Sequence, residues 1–166
     1  MSKLKIGLMY GGKSGEHEVS LRSAESIRNN LDKEKYEVVD IFVGKDGSFD
    51  IEKVKSVDVI FPIIHGTYGE DGSLQGMLEM LDMAYVGAGV LGSAVGMDKD
   101  VQKRLLLEAG VKVAKFKLIK SMNLSSIKLI KEIDELKYPV YVKPVNMGSS
   151  VGVYKVSSIK YLVSSI

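Results

Sequence analysis

Apolar positions along this chain alternate between two spacings. Lys-Ile-Gly-Leu-Met-Tyr over 5–10 is short and mostly apolar, which suits the first strand of a parallel sheet. Leu21, Ala24, Ile27 and Leu31 then recur three and four residues apart, the stripe of an amphipathic helix over about 20–32. A β-branched run over 36–43 predicts a second strand, and Lys45-Asp-Gly-Ser48 marks a turn. The run over 58–64 predicts a third strand, placed near an edge or a strand end by Pro62. A helix over 73–81 and a short fourth strand over 84–86 come next, closed by Gly87-Ala-Gly89. Strands alternating with helices predict an α/β fold, an open, Rossmann-like, doubly wound parallel sheet with right-handed crossovers.

The pattern changes after Met97, so a domain boundary is expected there, dividing the chain into 1–97 and 98–166. Asp98 can cap a helix running to about Ala109, and Gly110 is placed to end it. A strand over 116–119 and a helix over 126–136 come next, the latter with Ile127, Ile130 and Ile133 on one face. Two strands, 138–144 and 151–156, flank Val145-Asn-Met-Gly-Ser-Ser150. This second unit reads as an incomplete α+β subdomain, with an apparent helix still running at Ile166.

Composition narrows the function classes. The 166 residues, 45% hydrophobic and 27% charged, are ordinary for a globular protein. A net charge of +2 gives no reason to expect nucleic acid or an anionic membrane as partner. The absence of cysteine excludes a disulfide scaffold, a cysteine nucleophile and a thiolate metal site. No apolar run is long enough for a signal peptide or a membrane span, so a cytoplasmic location is the default.

Chemistry concentrates in the loops. Between the first strand and first helix lie three glycines, Glu16, His17 and Glu18, where an open α/β sheet binds ligands. Carboxylates so close repel unless a cation, an amine or a metal, sits among them. Gly7 to Ser14 satisfies the phosphate-loop pattern G-x-x-x-x-G-K-[ST], but Leu8, Met9 and Tyr10 are still strand-like and two glutamates precede the helix, so the context fails. Gly87-Ala-Gly-Val-Leu-Gly92 matches a dinucleotide fingerprint without the acidic strand end that should accompany it; a glycine-rich turn into a short helix fits better. His17 and His65 are the two histidines, each in a strand-exit loop, and a mononuclear metal site built on them is a competing reading. Gly148-Ser-Ser-Val-Gly152 can be a plain turn or a lid that closes over phosphate. Lys143 on a buried-looking strand and Lys99 at a helix start, where a cation opposes the dipole, both favour an anion nearby.

Four segments taken together carry a family resemblance. Gly11-Gly-Lys-Ser-Gly-Glu-His-Glu-Val-Ser20, His65-Gly-Thr-Tyr-Gly-Glu-Asp-Gly72 with Leu74-Gln-Gly-Met77, Val86-Gly-Ala-Gly-Val90 with Gly96-Met-Asp-Lys99, and Val142-Lys-Pro144 with Gly148-Ser-Ser-Val-Gly152 resemble, in order, the D-alanine–D-alanine ligase family. The resemblance covers that family's N-terminal, pre-ATP-grasp domain and the first part of its ATP-grasp domain. It implies a ligase of peptidoglycan synthesis and the cell wall: ATP phosphorylates the carboxylate of one D-alanine, and the amine of a second attacks the acyl phosphate. It implies D-alanine and ATP as substrates, Mg²⁺ held by residues beyond Ile166, and a homodimer. Glu16 would hold the first ammonium and Ser149 would hydrogen-bond Glu16, the two residues expected to be catalytic. Val19, Ser20, His65 and Ser150 would complete substrate binding. Lys99, Lys143, Ser149 and Ser150 would bind ATP, with Ser150 on the γ-phosphate or the acyl phosphate. Glu70 and Asp71 are expected to cap the helix near Ser73.

Two alternatives stand beside this reading. One is a D-alanine–D-lactate or other ATP-grasp ligase sharing these motifs. The other is a non-catalytic module that holds an amine or a metal between its acidic loops. The chain by itself is expected to be catalytically silent, because the magnesium carboxylates of the resembled family have no counterpart in it.

Overall fold

The computed structural model describes residues 2–120, 127–158 and 161. The chain forms two compact units, Met1–Met97 and Asp98–Ile166.

In the first unit, β1 (Leu4–Gly11) lies between β2 (Tyr36–Val43) and β3 (Val59–Pro62), all parallel, in the order β2-β1-β3. A central parallel strand is covered on both faces, which is why residues 6–9 of β1 form one unbroken buried run rather than an alternation. Leu8 faces Ala24 and Ile27 of α1 (His17–Asn30). Met9 faces the other way, into a cluster with Ile41, Ile60, Val54 of α2 (Ile51–Lys55) and Leu74 and Leu78 of α3 (Ser73–Met80). Leu8, Met9, Ile41, Ile60 and Leu78 are all fully buried, each worth about 1.5–3 kcal/mol against exposure. α2 had no counterpart among the elements expected from apolar spacing. Asp50 starts it by accepting from the N–H groups of Glu52 (3.0 Å) and Lys53 (3.2 Å).

The expected fourth strand shrinks to one bridge between Ile60 and Tyr85, with Ile60 N–H on Ala84 O (2.8 Å) and Val86 N–H on Ile60 O (2.9 Å). The ladder stops because the next donor on β3 would belong to Pro62, which has no N–H. α4 (Val90–Met97) leads out of the glycine-rich turn, as expected for that segment.

The second unit opens with α5 (Lys99–Glu108), whose cap Asp98 accepts from Asp100 N–H (3.0 Å) and Val101 N–H (2.9 Å). Gly110, at φ +75°, lies just past its end. α6 (Ile127–Asp134) packs Leu129 and Ile133 against Val156, with Ile119, Tyr138, Val140 and Val142 around them. Of the expected isoleucine face, Ile133 is therefore confirmed, whereas the Ile127 and Ile130 side chains, like the expected helix start at 126 and the run to 166, lie outside the described residues. β4 (Val140–Val142) and β5 (Tyr154–Val156) pair antiparallel. The stretch over 116–119 is not a strand; Ile119 contributes to the core without entering a ladder.

Candidate functional site

The rim of the first unit is set where β1 runs out. Gly11 has φ +98°, and a Cβ there would sit 2.3 Å from Val43 O, so only glycine lets the chain turn off the strand. The helix then begins at His17, three residues earlier than the apolar spacing predicts. That shift redistributes the three groups expected to crowd together. Glu18 points outward to Lys45 (3.2 Å), an exposed pair of little energetic weight. His17 points inward: its Nδ1 lies 2.7 Å from Gly12 O and must carry the hydrogen, and its ring meets Phe42 edge-on at 5.7 Å. The expected repulsion between the two carboxylates is thus relieved by geometry, and His17 is a buttress of the turn.

Glu16 is what remains at the rim. It occupies the N-cap position of α1, yet its side chain caps nothing. The residue is only 9% exposed, its Oε1 is buried without a hydrogen-bond partner, and its Oε2 lies 2.7 Å from where a Cβ of Gly66 would be. A buried carboxylate oxygen without a donor is costly, so a donor supplied from outside the chain would stabilise it. Ser14 fixes the surroundings: its hydroxyl donates to His65 O (2.7 Å) and accepts from Glu16 N–H (3.2 Å), joining two strand-exit loops.

The second loop, 65–72, folds back on itself. Glu70 accepts from Gly66 N–H (2.8 Å) through Oε2 and holds Oε1 3.8 Å from Nδ1 of His65, whose Nε2 lies 3.2 Å from the Ser23 hydroxyl. Glu70 therefore orients His65 and does not cap α3. Asp71 performs the capping expected of it, accepting from Ser73 N–H (3.0 Å) as well as Tyr68 N–H (2.8 Å). Burial raises the pKa of Asp71, but these backbone donors outweigh it and hold the carboxyl below its ordinary 3.8. The stabilisation is present above that ordinary value and is lost as the pH falls through the lower folded value. Asp71→Asn should accordingly flatten the acid limb of stability: urea unfolding at pH 5 and pH 3 should show a smaller loss in the variant than in the parent chain.

Of the other expected substrate residues, Val19 is exposed on α1, whereas Ser20 is fully buried. The Ser20 hydroxyl accepts from Gly11 N–H (2.8 Å) and donates to Ile63 O (2.5 Å), clamping the ends of β1 and β3 rather than lining a pocket. Ser14 and Gln75 lie within the quoted motifs and Ser23 outside them, and the sequence assigns none of the three a role. Gln75 is buried, donating from Nε2 to Gly69 O (2.9 Å) with its Oε1 unpartnered. The signal for Ser23 was its position three residues after Ser20, one turn along the same helix face.

In the second unit, Lys143 comes directly after β4 on the side that faces solvent, so the buried strand expected for it is not found. The Lys99 ammonium donates to Val145 O (3.2 Å) and to Met147 O, where an anion had been expected. Ser149 and Ser150 are exposed and both left-handed, at φ 48° and 62°, in a turn closed by Val151 N–H on Gly148 O (3.0 Å). A cleft of about 460 Å³ lined by Arg104, Phe116, Lys117, Leu118 and Lys120 lies elsewhere in this unit; Arg104 and Lys117 are already paired with Asp100 and Glu132, each at 2.9 Å. Among the described residues, no group of three or more His, Asp or Glu is placed to hold a metal, and the two histidines turn to different partners. Nor is any helix among them long and apolar enough to cross a membrane.

Comparison with known proteins agrees with this arrangement. Residues 5–55 and 48–88 match the family model described as the D-ala D-ala ligase N-terminus, and 105–166 match that of the D-ala D-ala ligase C-terminus. A D-alanine–D-alanine ligase from Solibacter usitatus is 44% identical over 160 residues, covering 92% of this chain and 48% of the relative. The structure of the VanG D-Ala:D-Ser ligase from Enterococcus faecalis superposes with a TM-score of 0.83 at 32% identity, over 99% of this chain and 59% of that one. The D-alanine–D-alanine ligase from Bacillus anthracis, solved complexed with ATP, gives 0.82 at 36% identity, over 97% and 53%. The chain spans about half the length of the curated relatives it matches. With both family models matched in sequence order, this chain belongs to the D-alanine–D-alanine ligase family.

Proposed function

We propose that this chain supplies the first-substrate site and part of the ATP site of a D-alanine–D-alanine ligase serving peptidoglycan synthesis. The observation that carries the reading is the buried, unpartnered Oε1 of Glu16 at the strand-exit rim. An ammonium is the donor that suits it: compact, cationic and able to give three hydrogen bonds. Glu16 holds the amine of the first D-alanine, and His65, oriented by Glu70 and Ser23, lies near its carboxylate. Val19 borders the same site. Ser149 and Ser150 form the turn offered to phosphate, and Ser150 meets the transferred phosphate through its hydroxyl and N–H. Lys99 and Lys143 neutralise phosphate charge, the electrostatic contribution that dominates phosphoryl transfer. ATP converts the first carboxylate to an acyl phosphate, which the second amine attacks. Among the described residues no cluster of carboxylates is placed to hold the magnesium that accompanies ATP. Cytoplasmic location, a homodimeric assembly, and the division into an N-terminal domain over 1–97 and an ATP-grasp portion over 98–166 belong to the same proposal.

D-Serine is a second candidate for the attacking amine, favoured by one observation: the VanG relative, titled a D-Ala:D-Ser ligase, is as similar in fold as the D-alanine enzymes. The test of the first-substrate site is calorimetry of this chain with D-alanine, D-serine, L-alanine and Zn²⁺; the attacking amine is told from the product that an enzyme of the relatives' full length makes from D-alanine and D-serine together. Saturable binding of D-alanine without metal supports the ligase reading. Tight Zn²⁺ binding with no response to either D-amino acid overturns it in favour of a metal-binding module.

A further inference from the structure

We propose that Lys99 is a positioning residue that sets the shape of the Ser149–Ser150 turn by holding the backbone leading into it. Lys99 is the first residue of α5, where a cation opposes the helix dipole. Its ammonium nevertheless turns to two carbonyls far along the chain, Val145 O (3.2 Å) and Met147 O. Bonds from a charged donor are the stronger kind, and two from one ammonium fix both ends of a three-residue stretch.

The backbone of the same residue adds a third tie. The Asp98 carboxylate takes the N–H groups of Asp100 and Val101, leaving the Lys99 N–H, which donates to Val145 O at 3.2 Å. The helix start and the 145–147 segment are therefore joined by backbone and side chain of one residue.

The turn just beyond that segment needs such a tie. Ser149 and Ser150 are consecutive non-glycine residues at φ 48° and 62°. Left-handed conformations of this kind persist only where the surroundings over-determine them. On the far leg, Gly152 passes so close to Pro144 that an added Cβ would lie 2.8 Å from its Cγ. Lys99 is the brace on the near leg. An ammonium has three donors, so two carbonyls leave one for an anion. What that anion is rests on the ligase reading above; the bracing itself does not.

Hydrogen exchange on the 166-residue chain tests the proposal. The amides to monitor are Val151 and Val153, which donate to Gly148 O (3.0 Å) and Ser150 O (3.3 Å), each taken as a ratio to Ala109, which donates to Leu105 O (2.9 Å) at the other end of α5. In Lys99→Met the ratio should rise about tenfold, the loss expected for bonds to a charged group. Lys99→Arg, which keeps a long cationic donor, should restore part of it. A ratio unchanged in Lys99→Met overturns the proposal, including the case in which the unit loosens and all three amides speed up together. ATP affinity, measured in an enzyme of the relatives' full length, separates the two readings. A raised exchange ratio with unaltered ATP affinity supports the brace and refutes only the nucleotide role of Lys99.

Discussion

Glu16→Gln should make the free protein more stable and the amine site nearly useless. The residue is 9% exposed and one of its carboxylate oxygens has no donor, so the ligand-free chain carries a poorly satisfied charge. Leaving a buried polar group unsatisfied costs about 1–3 kcal/mol, more when it is charged, and a neutral amide of the same shape removes the charged part. Urea unfolding should therefore show the variant more stable by about 1 kcal/mol. In the proposed site the same change deletes the partner of a D-alanine ammonium. Losing a charge-assisted hydrogen bond costs roughly 1.5–3 kcal/mol, or about ten- to a hundredfold in D-alanine affinity. Both readouts are needed, since a structural role for Glu16 would move them in the same direction. A variant that is less stable, or that binds D-alanine as the parent does, removes Glu16 from the site.

Much of the fold was legible because the apolar spacing speaks directly to burial. Leu8 and Met9 serve opposite faces of one sheet, and a continuous apolar run is the sequence form of that arrangement. The stretches that misled are those decided by a neighbour. Residues 84–86 look like a strand, but their pairing depends on what β3 offers, and β3 ends in a proline. Residues 116–119 have the composition of a strand, and composition cannot supply the ladder partner that makes one. α2 was missed although Asp50, Ile51 and Val54 carry a cap and a one-turn spacing; at five residues it is too short for periodicity to stand out.

Of the candidate site, the loops that build it were legible and the contacts within them were not. Crowded charges on a strand exit pointed to a ligand, and the structure singles out Glu16 from that crowd by where the helix begins. The onset of α1 at His17 is set by packing: the ring of His17 fills space beside Phe42 and returns a hydrogen bond to Gly12, which no count of apolar positions registers. Ser14, Glu70 and Gln75 act through backbone groups of loop 65–72, and hydrogen bonds between loops leave no periodic trace in a sequence. Lys143 and Lys99 were singled out by the cost of their expected surroundings. Lys143 proves exposed, and Lys99 meets that cost with carbonyls.

Two glycines of the same motif should answer very differently to one added methyl group. Gly69 lies in the loop beneath the rim, and a Cβ there would sit 2.1 Å from Ile64 O and 2.6 Å from Ile64 C, backbone atoms that continue from β3. Those atoms cannot move aside as the tip of a side chain could, so the loop must shift. That shift breaks the Gln75 bond to Gly69 O (2.9 Å) and disturbs Glu70 N–H on Gly66 O (2.9 Å), and with them the Gly66 backbone that the Glu16 carboxylate rests against. Overpacking of this kind typically costs 1–3 kcal/mol, and each buried partner left open adds about 1–3 kcal/mol more. Gly69→Ala should therefore lower the unfolding free energy of the first unit by about 3 kcal/mol and weaken D-alanine binding with it. Gly76, seven residues on and within α3, has nothing within 4 Å of the same added atom. There the methyl group only restricts the unfolded chain, so Gly76→Ala should gain about 0.5–1 kcal/mol and leave binding as it was. Urea titrations of the two variants beside the parent, each paired with D-alanine calorimetry, check the pair. Equal responses would mean that loop 65–72 is free to relax and is not the rigid floor that holds Glu16 in place.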